Sequence, residues 1–405
     1  MASFPNDVTC YPAHAASENS VPTNSNTQTM APLTLPKTMQ AIQVVEFNKP
    51  YQLNTIPVPS PTTDLEPHDL LVKVATASFC HTDMMIQSGV FGSASQLPQT
   101  ASHEGAGTVV AVGSEEIATA AGFHVGSRVM CGLPLHPCGH CLDCLGPENQ
   151  TQYCTKIAGH VGVTAPGCFA EYVKVDARST TPLPDQVSFL SAAPLACAGR
   201  TVWRAVLQTG LKAGEWIAIV GSGGGLGHLG CQFAKALGLQ VIGVDAREEG
   251  LALTKENGAD VVVDARKGKA EAVKEVHAVT NGHGADATVN LSDAETAAAL
   301  ACAVTKMHGL MVQVAQPNEV KIPFPELIFR DIRVRGSLVS SAEESKSMLK
   351  CIAEHGISVK TNPFQGLDKI HELVEMVHGG KIQGKALIVV DQEQIDNEKN
   401  IGAKF

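Results

Sequence analysis

The segment IAIVGSGGGLGHLG, from Ile217 to Gly230, decides the fold of this chain. Its first four residues are apolar and indicate a short buried strand, and the following GHLGCQFAKALG has the apolar spacing of an amphipathic helix. Glycines between a strand and a helix allow a tight turn and let the backbone approach a pyrophosphate, which then lies on the helix N-terminus. The residues that we expect to bind a dinucleotide here are Gly221, Gly223, Gly224, Gly225, Leu226 and Gly227.

The sequence after this turn repeats the alternation of strand and helix. QVIGVDA, ADVVVDA, GADATVNLS and GLMVQVA are strand-like, and the residues between them are compatible with crossover helices. This pattern predicts an α/β domain with a doubly wound parallel sheet over residues 198–336. A plain strand-to-helix turn that uses glycine only for packing is the alternative to a nucleotide site.

The acid at the end of the second strand bears on which dinucleotide would bind. Asp245 can accept hydrogen bonds from the adenosine ribose hydroxyls and would repel the 2′-phosphate of NADP. Arg247 is close enough in sequence to accommodate that phosphate instead. The sequence therefore favours NAD and leaves NADP open.

The rest of the chain divides into three further regions. Residues 37–197 contain short strands broken by Gly and Pro, which predicts a β-rich domain with long functional loops. Residues 337–405 mix a helix with a strand and are expected to complete that first domain. Residues 1–36 lack hydrophobic periodicity and are predicted to be a disordered tail.

Composition limits the partners and the compartment. The formal net charge of -10 gives no reason to expect nucleic acid or an anionic membrane, and no apolar run is long enough to cross a bilayer. The first 36 residues have neither Lys nor Arg, unlike a mitochondrial presequence. We therefore expect a cytoplasmic protein that acts on a small molecule.

Four of the 12 cysteines lie close together in the sequence HPCGHCLDCLGPENQTQYC. The first three have C-x2-C-x2-C spacing, which lets one loop surround a tetrahedral ion, and the fourth completes a closed structural Zn²⁺ site. Free cysteines on a loop are the alternative. The predicted ligands are Cys138, Cys141, Cys144 and Cys154.

A second metal site would have to be assembled from separated segments. The candidates are Cys80, the adjacent pair His103 and Glu104, and Cys197. Taken singly, a buried Cys or His is usually an ordinary core residue. Spacing alone does not show that these residues converge.

Together these motifs resemble a known family. CHTD at 80–83, HEGAG at 103–107, the four-cysteine loop, CAG.T at 197–201 and GGGLG with a strand-end Asp are similar to the zinc-dependent alcohol dehydrogenases. These belong to the medium-chain dehydrogenase/reductase superfamily, and the yeast-type, typically tetrameric, branch is nearest. The resemblance covers about residues 37–391. It implies a GroES-like β-rich catalytic domain, a Rossmann domain, and hydride transfer between an alcohol and NAD.

The resemblance also implies roles for individual residues. The catalytic zinc would be held by Cys80, His103 and Cys197, with Glu104 as an alternate ligand, so that with the structural site each chain would hold two Zn²⁺. The other implied residues are Asp83, which orients the ligating His, Thr82, which bonds the substrate hydroxyl, and His81 and Lys385, which face the cofactor pyrophosphate.

Several positions depart from the family pattern. The loop between Cys144 and Cys154 is longer than usual, and Ser222 occupies the first position of the strict glycine motif. The yeast-type enzymes end a proton relay with a His where this chain has Met85, which cannot take a proton.

The expected substrate pocket differs as well. Phe91 and Leu133 fall where the ethanol-oxidising yeast enzymes have tryptophans, and Gln316 falls on a Met position. Smaller walls and a polar group predict a substrate larger than ethanol, with an oxygen that Gln316 can bond.

Three functional interpretations remain open at this point. The first is a zinc- and NAD-dependent alcohol dehydrogenase or aldehyde reductase, and the second is the same enzyme with NADPH. The third is a non-catalytic module that binds zinc and a nucleotide; Met85 favours it, whereas the complete ligand set disfavours it. By analogy with the family we expect a homo-oligomer, either a dimer or a tetramer.

Overall fold

The computed structural model describes residues 35–92, 95–147 and 150–405. The predicted disordered tail of residues 1–36 lies outside these ranges, apart from its last two residues.

The first part of the chain is built from short antiparallel strands. A long buried strand at its centre, which contains mostly Val, Ala and Leu, hydrogen-bonds to three other strands of the same sheet. The strands are β1 (Thr38–Val44), β2 (Gln52–Pro57), β3 (Asp69–Ser78), β4 (Gln99–Thr100), β5 (Glu104–Val112), β6 (Arg128–Met130), β7 (Pro134–Leu135), β8 (Gly159–His160), β9 (Tyr172–Asp176) and β10 (Thr181–Pro182).

Four short helices lie between or after these strands. They are α1 (His81–Gln87), α2 (Glu115–Ala120), α3 (Leu142–Leu145) and α4 (Phe189–Pro194). A π-helical turn, Leu195–Gly199, follows α4 directly and leads into α5 (Arg200–Gln208). Single π turns often occur at functional sites.

The predicted parallel sheet is present and has one strand more than the sequence indicated. Its elements are β11 (Trp216–Val220), α6 (Gly227–Ala236), β12 (Gln240–Asp245), α7 (Glu248–Glu256), β13 (Val261–Asp264), α8 (Lys269–Val279), β14 (Ala285–Asn290), α9 (Ala297–Val304), β15 (Thr305–Gln313), α10 (Phe324–Ile328) and β16 (Arg333–Gly336). The strand order is β13-β12-β11-β14-β15-β16, with every pair parallel. This is the doubly wound arrangement of a Rossmann domain.

Alternate residues of the central strand β11 enter two different hydrophobic cores. Ile217 and Ile219 pack with residues of α5 and α6, whereas Ala218 and Val220 pack with residues of α8 and α9. Helices therefore cover both faces of this sheet, as the apolar strand sequences require.

The end of the chain returns to the first sheet. Its elements are α11 (Ala342–His355), β17 (Thr361–Gln365), α12 (Ile370–His378), β18 (Lys385–Val389) and α13 (Gln392–Glu398). β18 pairs antiparallel with β3, and β17 pairs parallel with β18. Among the described residues, no helix combines the length and apolar character that a membrane span needs.

Candidate active site and metal clusters

Sheet register and a helical turn bring the candidate zinc ligands together. Ser78 pairs with Glu104 across β3 and β5, so Cys80, just after β3, lies beside His103, just before β5. Cys197 enters from the π-helical turn, whose Ala198 N–H donates to Glu104 Oε1 at 3.2 Å. One potential ligand atom from each of Cys80, His103, Glu104 and Cys197 lies within 4.8 Å of the others.

Asp83 supports this cluster through the backbone. It is the third residue of α1, and its carboxylate accepts hydrogen bonds of 2.8 Å from the N–H groups of Cys80 and Ser102. The carboxylate thus holds the main chain beside two of the ligands. Among the described residues, His103 Nδ1 has no hydrogen-bond partner, so the predicted orienting of His103 by Asp83 remains a proposal.

The electrostatics of the cluster follow from burial and mutual proximity. A hydrogen bond with Cys197, opposed by burial and aided by Lys385, holds the pKa of Cys80 well below its usual range, whereas the same bond raises the pKa of Cys197. Burial disfavours a charged His103, but Cys80 and Asp83 outweigh it and raise the pKa of His103 to about 9. The thiol of Cys80 and the carboxylate of Asp83 therefore stabilise a positive charge within the cluster.

Glu104 forms a buried ion pair with Lys385 rather than standing alone. Lys385 Nζ lies 2.7 Å from Oε2 and 3.0 Å from Oε1 of Glu104, and both residues are almost entirely shielded from water. Burial raises the pKa of Glu104 to about 7, although Lys385 opposes the rise. The direct ion pair with Lys385 offsets part of the unfavourable free energy of burying the carboxylate.

The residues of this cluster fit a catalytic zinc ion. Two thiols, one imidazole and a nearby carboxylate are the donor types that Zn²⁺ prefers, and three protein ligands would leave one position for substrate. His103 has a buried ring nitrogen without a protein partner, and the two sulfurs share one hydrogen bond. A bound cation would satisfy both thiolates together.

The four-cysteine loop forms a second, separate cluster. Cys138, Cys141, Cys144 and Cys154 offer sulfur atoms that all lie within 4.8 Å of one another. Backbone N–H groups, led by that of His140, lower the pKa of Cys138 to about 6, whereas burial raises the pKa of Cys144 to about 12. Such a set of sulfurs suits a closed structural zinc site. Residues 148 and 149 of the long loop lie outside the described residues.

The glycine-rich turn has the close contacts that require glycine. A Cβ on Gly223 would meet the carbonyl of Gly250 at 2.1 Å, and one on Gly227 would meet the carbonyl of Gly221 at the same distance. Gly221 also has a φ of 84°, in the region that favours glycine. The turn leaves the N-terminus of α6 accessible to a phosphate.

Two predicted cofactor residues contact this turn. Asp245 ends β12, and its carboxylate accepts a hydrogen bond of 2.9 Å from the N–H of Gly223. A Cβ on Gly225 would lie 2.8 Å from Cδ of Lys385. Since Lys385 also pairs with Glu104, it connects the nucleotide turn to the metal cluster.

A cavity of about 500 Å³ opens beside α1, between the catalytic and Rossmann parts. Of the residues predicted around the substrate and cofactor, His81, Met85 and Gln316 line it, whereas Phe91 packs against the catalytic core. Thr82, in the first turn of α1, and Leu133, between β6 and β7, are partly buried, and neither lines this cavity. Sequence reasoning missed the other lining residues, among them Asn318 and His378, which belong to no motif.

Comparison with known proteins agrees with this geometry. The profile described as alcohol dehydrogenase GroES-like domain matches residues 66–185, and the one described as zinc-binding dehydrogenase matches residues 225–354. An alcohol dehydrogenase of Geobacillus stearothermophilus is 33% identical over 357 residues, which cover 87% of this chain and 100% of that protein. Alcohol dehydrogenase 1 of Emericella nidulans is also 33% identical, covering 87% of this chain and 98% of that protein.

Solved structures give the same result. The crystal structure of the alcohol dehydrogenase from the archaeon Aeropyrum pernix matches with a TM-score of 0.77 at 29% identity, and covers 86% of this chain and 99% of that chain. Two matching family profiles, a shared fold and near-complete coverage of the relatives all point to the same conclusion. The chain belongs to the zinc-dependent alcohol dehydrogenases of the medium-chain dehydrogenase/reductase superfamily.

Proposed function

We propose that this protein interconverts an alcohol and an aldehyde or ketone by hydride transfer to or from NAD, with one catalytic and one structural zinc in each chain. The observation that carries the proposal is the convergence of Cys80, His103 and Cys197. His81, the residue next to Cys80 in the chain, lines an open cavity. Lys385 supports it further, because it contacts both Glu104 and the glycine-rich turn.

The zinc ion and the dinucleotide would supply the reactive groups, and the protein residues would bind and position them. When bound, zinc supplies a Lewis acid that lowers the pKa of the substrate hydroxyl, and the nicotinamide supplies the hydride acceptor. Cys80, His103 and Cys197 would hold the metal, and the Thr82 hydroxyl, in the first turn of α1, would bond the substrate oxygen. Lys385 would hold the Glu104 carboxylate, the alternate ligand, in a buried ion pair beside the metal ligands.

Asp245 supports NAD as the cofactor. Its buried carboxylate lies at the end of β12, where the adenosine ribose is expected, and would repel a 2′-phosphate.

NADPH is the second candidate because of a specific contact. Arg247 Nη2 donates to the carbonyl of Gly223 at 3.1 Å, and its Nε lies 3.6 Å from Asp245, so a cation stands beside the ribose position. Measuring kcat/KM with NADH and NADPH on one aldehyde decides between them. A preference for NADPH would reject the assignment to NAD.

We also propose a substrate larger than ethanol. The amide of Gln316 is exposed on the cavity wall and could bond a substrate oxygen distant from the reacting carbon. An NAD(H)-coupled panel of primary, aromatic and polyfunctional alcohols tests this. If ethanol gave the highest kcat/KM of the panel, the size argument would be wrong.

The assembly and compartment are further proposals. We place the protein in the cytoplasm as a homo-oligomer, dimer or tetramer, of the yeast-type branch. Exposed apolar side chains on and after α10, beside the free edge of β16, support self-association. No feature of the described residues suggests a nucleic-acid partner.

Metal analysis combined with one substitution tests the central proposal. We expect about two zinc ions per chain in the wild type and about one in Cys80→Ser, together with loss of dehydrogenase activity. Cys231→Ser, at a buried cysteine outside both clusters, is the matched control and should keep both metals. One zinc in the wild type and no NADH oxidation on an aldehyde panel would indicate a binding module instead.

A further inference from the structure

Arg200 is a buried cation immediately behind the candidate metal cluster. Its side chain is 1% exposed, and its backbone N–H donates to the carbonyl of Cys197 at the end of the π-helical turn. Removing a guanidinium from water is unfavourable unless nearby groups compensate for its charge and hydrogen bonds. The surroundings of Arg200 should therefore show what it is for.

The guanidinium reaches the segment that follows β16. Nη2 donates to the carbonyl of Ser340 at 2.8 Å and Nε to its hydroxyl at 3.4 Å, while the buried Nη1 has no partner among the described residues. Ser340 lies just beyond the carboxyl end of a parallel strand, where ligands of doubly wound sheets bind. Arg200 thus links the helix that carries Cys197 to the cofactor edge of the sheet.

The charges around Arg200 leave it available to Cys197. Glu344 is near enough to interact with Arg200, but its carboxylate is held by Arg204 at 2.6 Å. Burial lowers the pKa of Arg200 to about 10, and the attraction of Cys197 opposes this. Arg200 follows Cys197 by three residues in a continuous helical segment, so its buried guanidinium, which stays protonated at neutral pH, lies on the turn next to a candidate metal-binding sulfur.

We infer that Arg200 is a positioning residue that reduces electron donation from the Cys197 thiolate to the metal and fixes the Ser340 segment at the cofactor edge. The inference rests on the proposed function, since it needs a metal on Cys197. A nearby cation makes a thiolate a weaker donor, and a weaker donor leaves the metal more acidic. The carboxylate of the cluster, Glu104, already pairs with Lys385, so it is not the ion-pair partner of Arg200.

Cobalt spectroscopy separates this function from a merely structural one. The variants are Arg200→Gln, which removes the charge, Arg200→Lys, which keeps the charge but loses the forked hydrogen bonds, and Arg128→Gln, a control at a largely buried cation outside both metal clusters. Each protein is loaded with Co²⁺, and the spectrum of the same variant carrying Cys80→Ser is subtracted to remove the four-cysteine cluster. We expect the sulfur-to-cobalt band to shift to lower energy in Arg200→Gln and to stay in place in Arg200→Lys and Arg128→Gln.

Kinetics supply a second measurement. In Arg200→Gln the apparent pKa of the pH profile for alcohol oxidation should rise by about 0.5 or more, because a cation near the metal is lost. In Arg200→Lys that pKa should be unchanged, whereas KM for the dinucleotide should rise about fivefold or more, because the Ser340 segment is no longer fixed.

The outcomes test the role of Arg200 separately from the proposed catalytic metal site. If the wild type lacked a band dependent on Cys80, the metal proposal itself would fail. A normal wild-type band that does not move in Arg200→Gln would overturn the inference alone. Should Arg200→Gln not fold, Arg200→Lys decides: an unmoved band with raised KM supports the inference, and a moved band or an unchanged KM rejects it.

Discussion

At the scale of single residues, Met85 occupies the position where the yeast-type enzymes have the His that ends their proton relay. It lies on α1 and lines the cavity together with His81 and Gln316. A thioether neither donates nor accepts a proton, so the proton of the substrate hydroxyl would have to leave through water or another group. His81 and His378 also line this cavity and are the titratable side chains nearest to that path.

Met85→His should therefore speed alcohol oxidation near neutral pH. An imidazole in the cavity would act as a general base, and we expect kcat to rise by up to about tenfold if deprotonation limits the rate. Steady-state rates across the pH range provide the measurement. Val90→His, on the rim of the same cavity, is the control, and an equal gain in both variants would contradict a relay at residue 85 specifically.

Other residue contacts show what sequence reasoning can and cannot reach. The motifs marked Cys80, His103 and Cys197 as candidates, whereas their convergence is visible only in the structure, and their role as zinc ligands stays a prediction. The pairing of Lys385 with Glu104 could not, since the two are 281 positions apart and neither side chain signals burial. Arg200 was missed for a related reason: an arginine is normally exposed, so its burial becomes visible only in the fold.

At the scale of elements, the strand-to-helix turn and α6 are fixed to the end of the chain by a buried histidine. His228, in the first turn of α6, bonds the carbonyl of Gly224 through Nδ1 and accepts a hydrogen bond from the Lys360 N–H at Nε2. Burial, reinforced by Lys385 and Lys360, lowers the pKa of His228 to about 4. The ring is therefore neutral in the folded protein at physiological pH.

This histidine should make stability fall with acid. Between the unfolded pKa of about 6.5 and the folded value, the unfolded chain binds a proton that the folded chain does not, so the free energy of unfolding decreases as pH falls. We expect the titration of His228 to lower the free energy of unfolding by about 2 kcal/mol between about pH 7 and about pH 5. His228→Gln removes the titration and should flatten the profile by that amount.

Urea denaturation at several pH values measures the difference. His355→Gln, at the exposed end of α11, is the matched control and should keep the wild-type slope. Parallel slopes for wild type and His228→Gln would contradict the assigned role of His228.

The prediction of elements succeeded where hydrophobic spacing was clear and failed where it was not. β11 and β12 are continuous apolar runs, so the sequence marked them as buried strands. β16 was missed because its sequence RVRG is charged and all four residues are exposed. Edge strands lack the burial that gives a strand its sequence signal.

At the scale of the whole molecule, one hydrophobic core joins the two sheets. It includes Ala75 and Ala106 from the first sheet, Ile217 and Ile219 from the parallel sheet, and Met348 from α11. The cavity and the metal cluster lie where these parts meet, which explains why ligands come from distant segments. No local sequence pattern predicts this shared core. It forms only when the end of the chain returns and β18 pairs with β3, far away in sequence.

The outer edge of the parallel sheet should be where two copies meet. β16 is the last strand of its sheet, and Phe324, Ile328 and Phe329 beside it are 65%, 69% and 70% exposed. Large apolar side chains grouped at a free sheet edge are unfavourable in water unless another surface covers them. A symmetric contact would cover the same patch on both copies.

Ile328→Asp should therefore weaken self-association. Placing a carboxylate in a desolvated contact is unfavourable, and we expect the dissociation constant of this contact to rise at least about a hundredfold, so that a dimer becomes a single chain, or a tetramer a smaller assembly, at micromolar concentration. Sedimentation equilibrium on zinc-loaded protein measures this. Met376→Asp, at an exposed apolar residue on α12, should leave the mass of the oligomer unchanged. An intact oligomer in Ile328→Asp would place the contact elsewhere, and a monomeric wild type would leave the exposed side chains of α10 without the partner inferred for them.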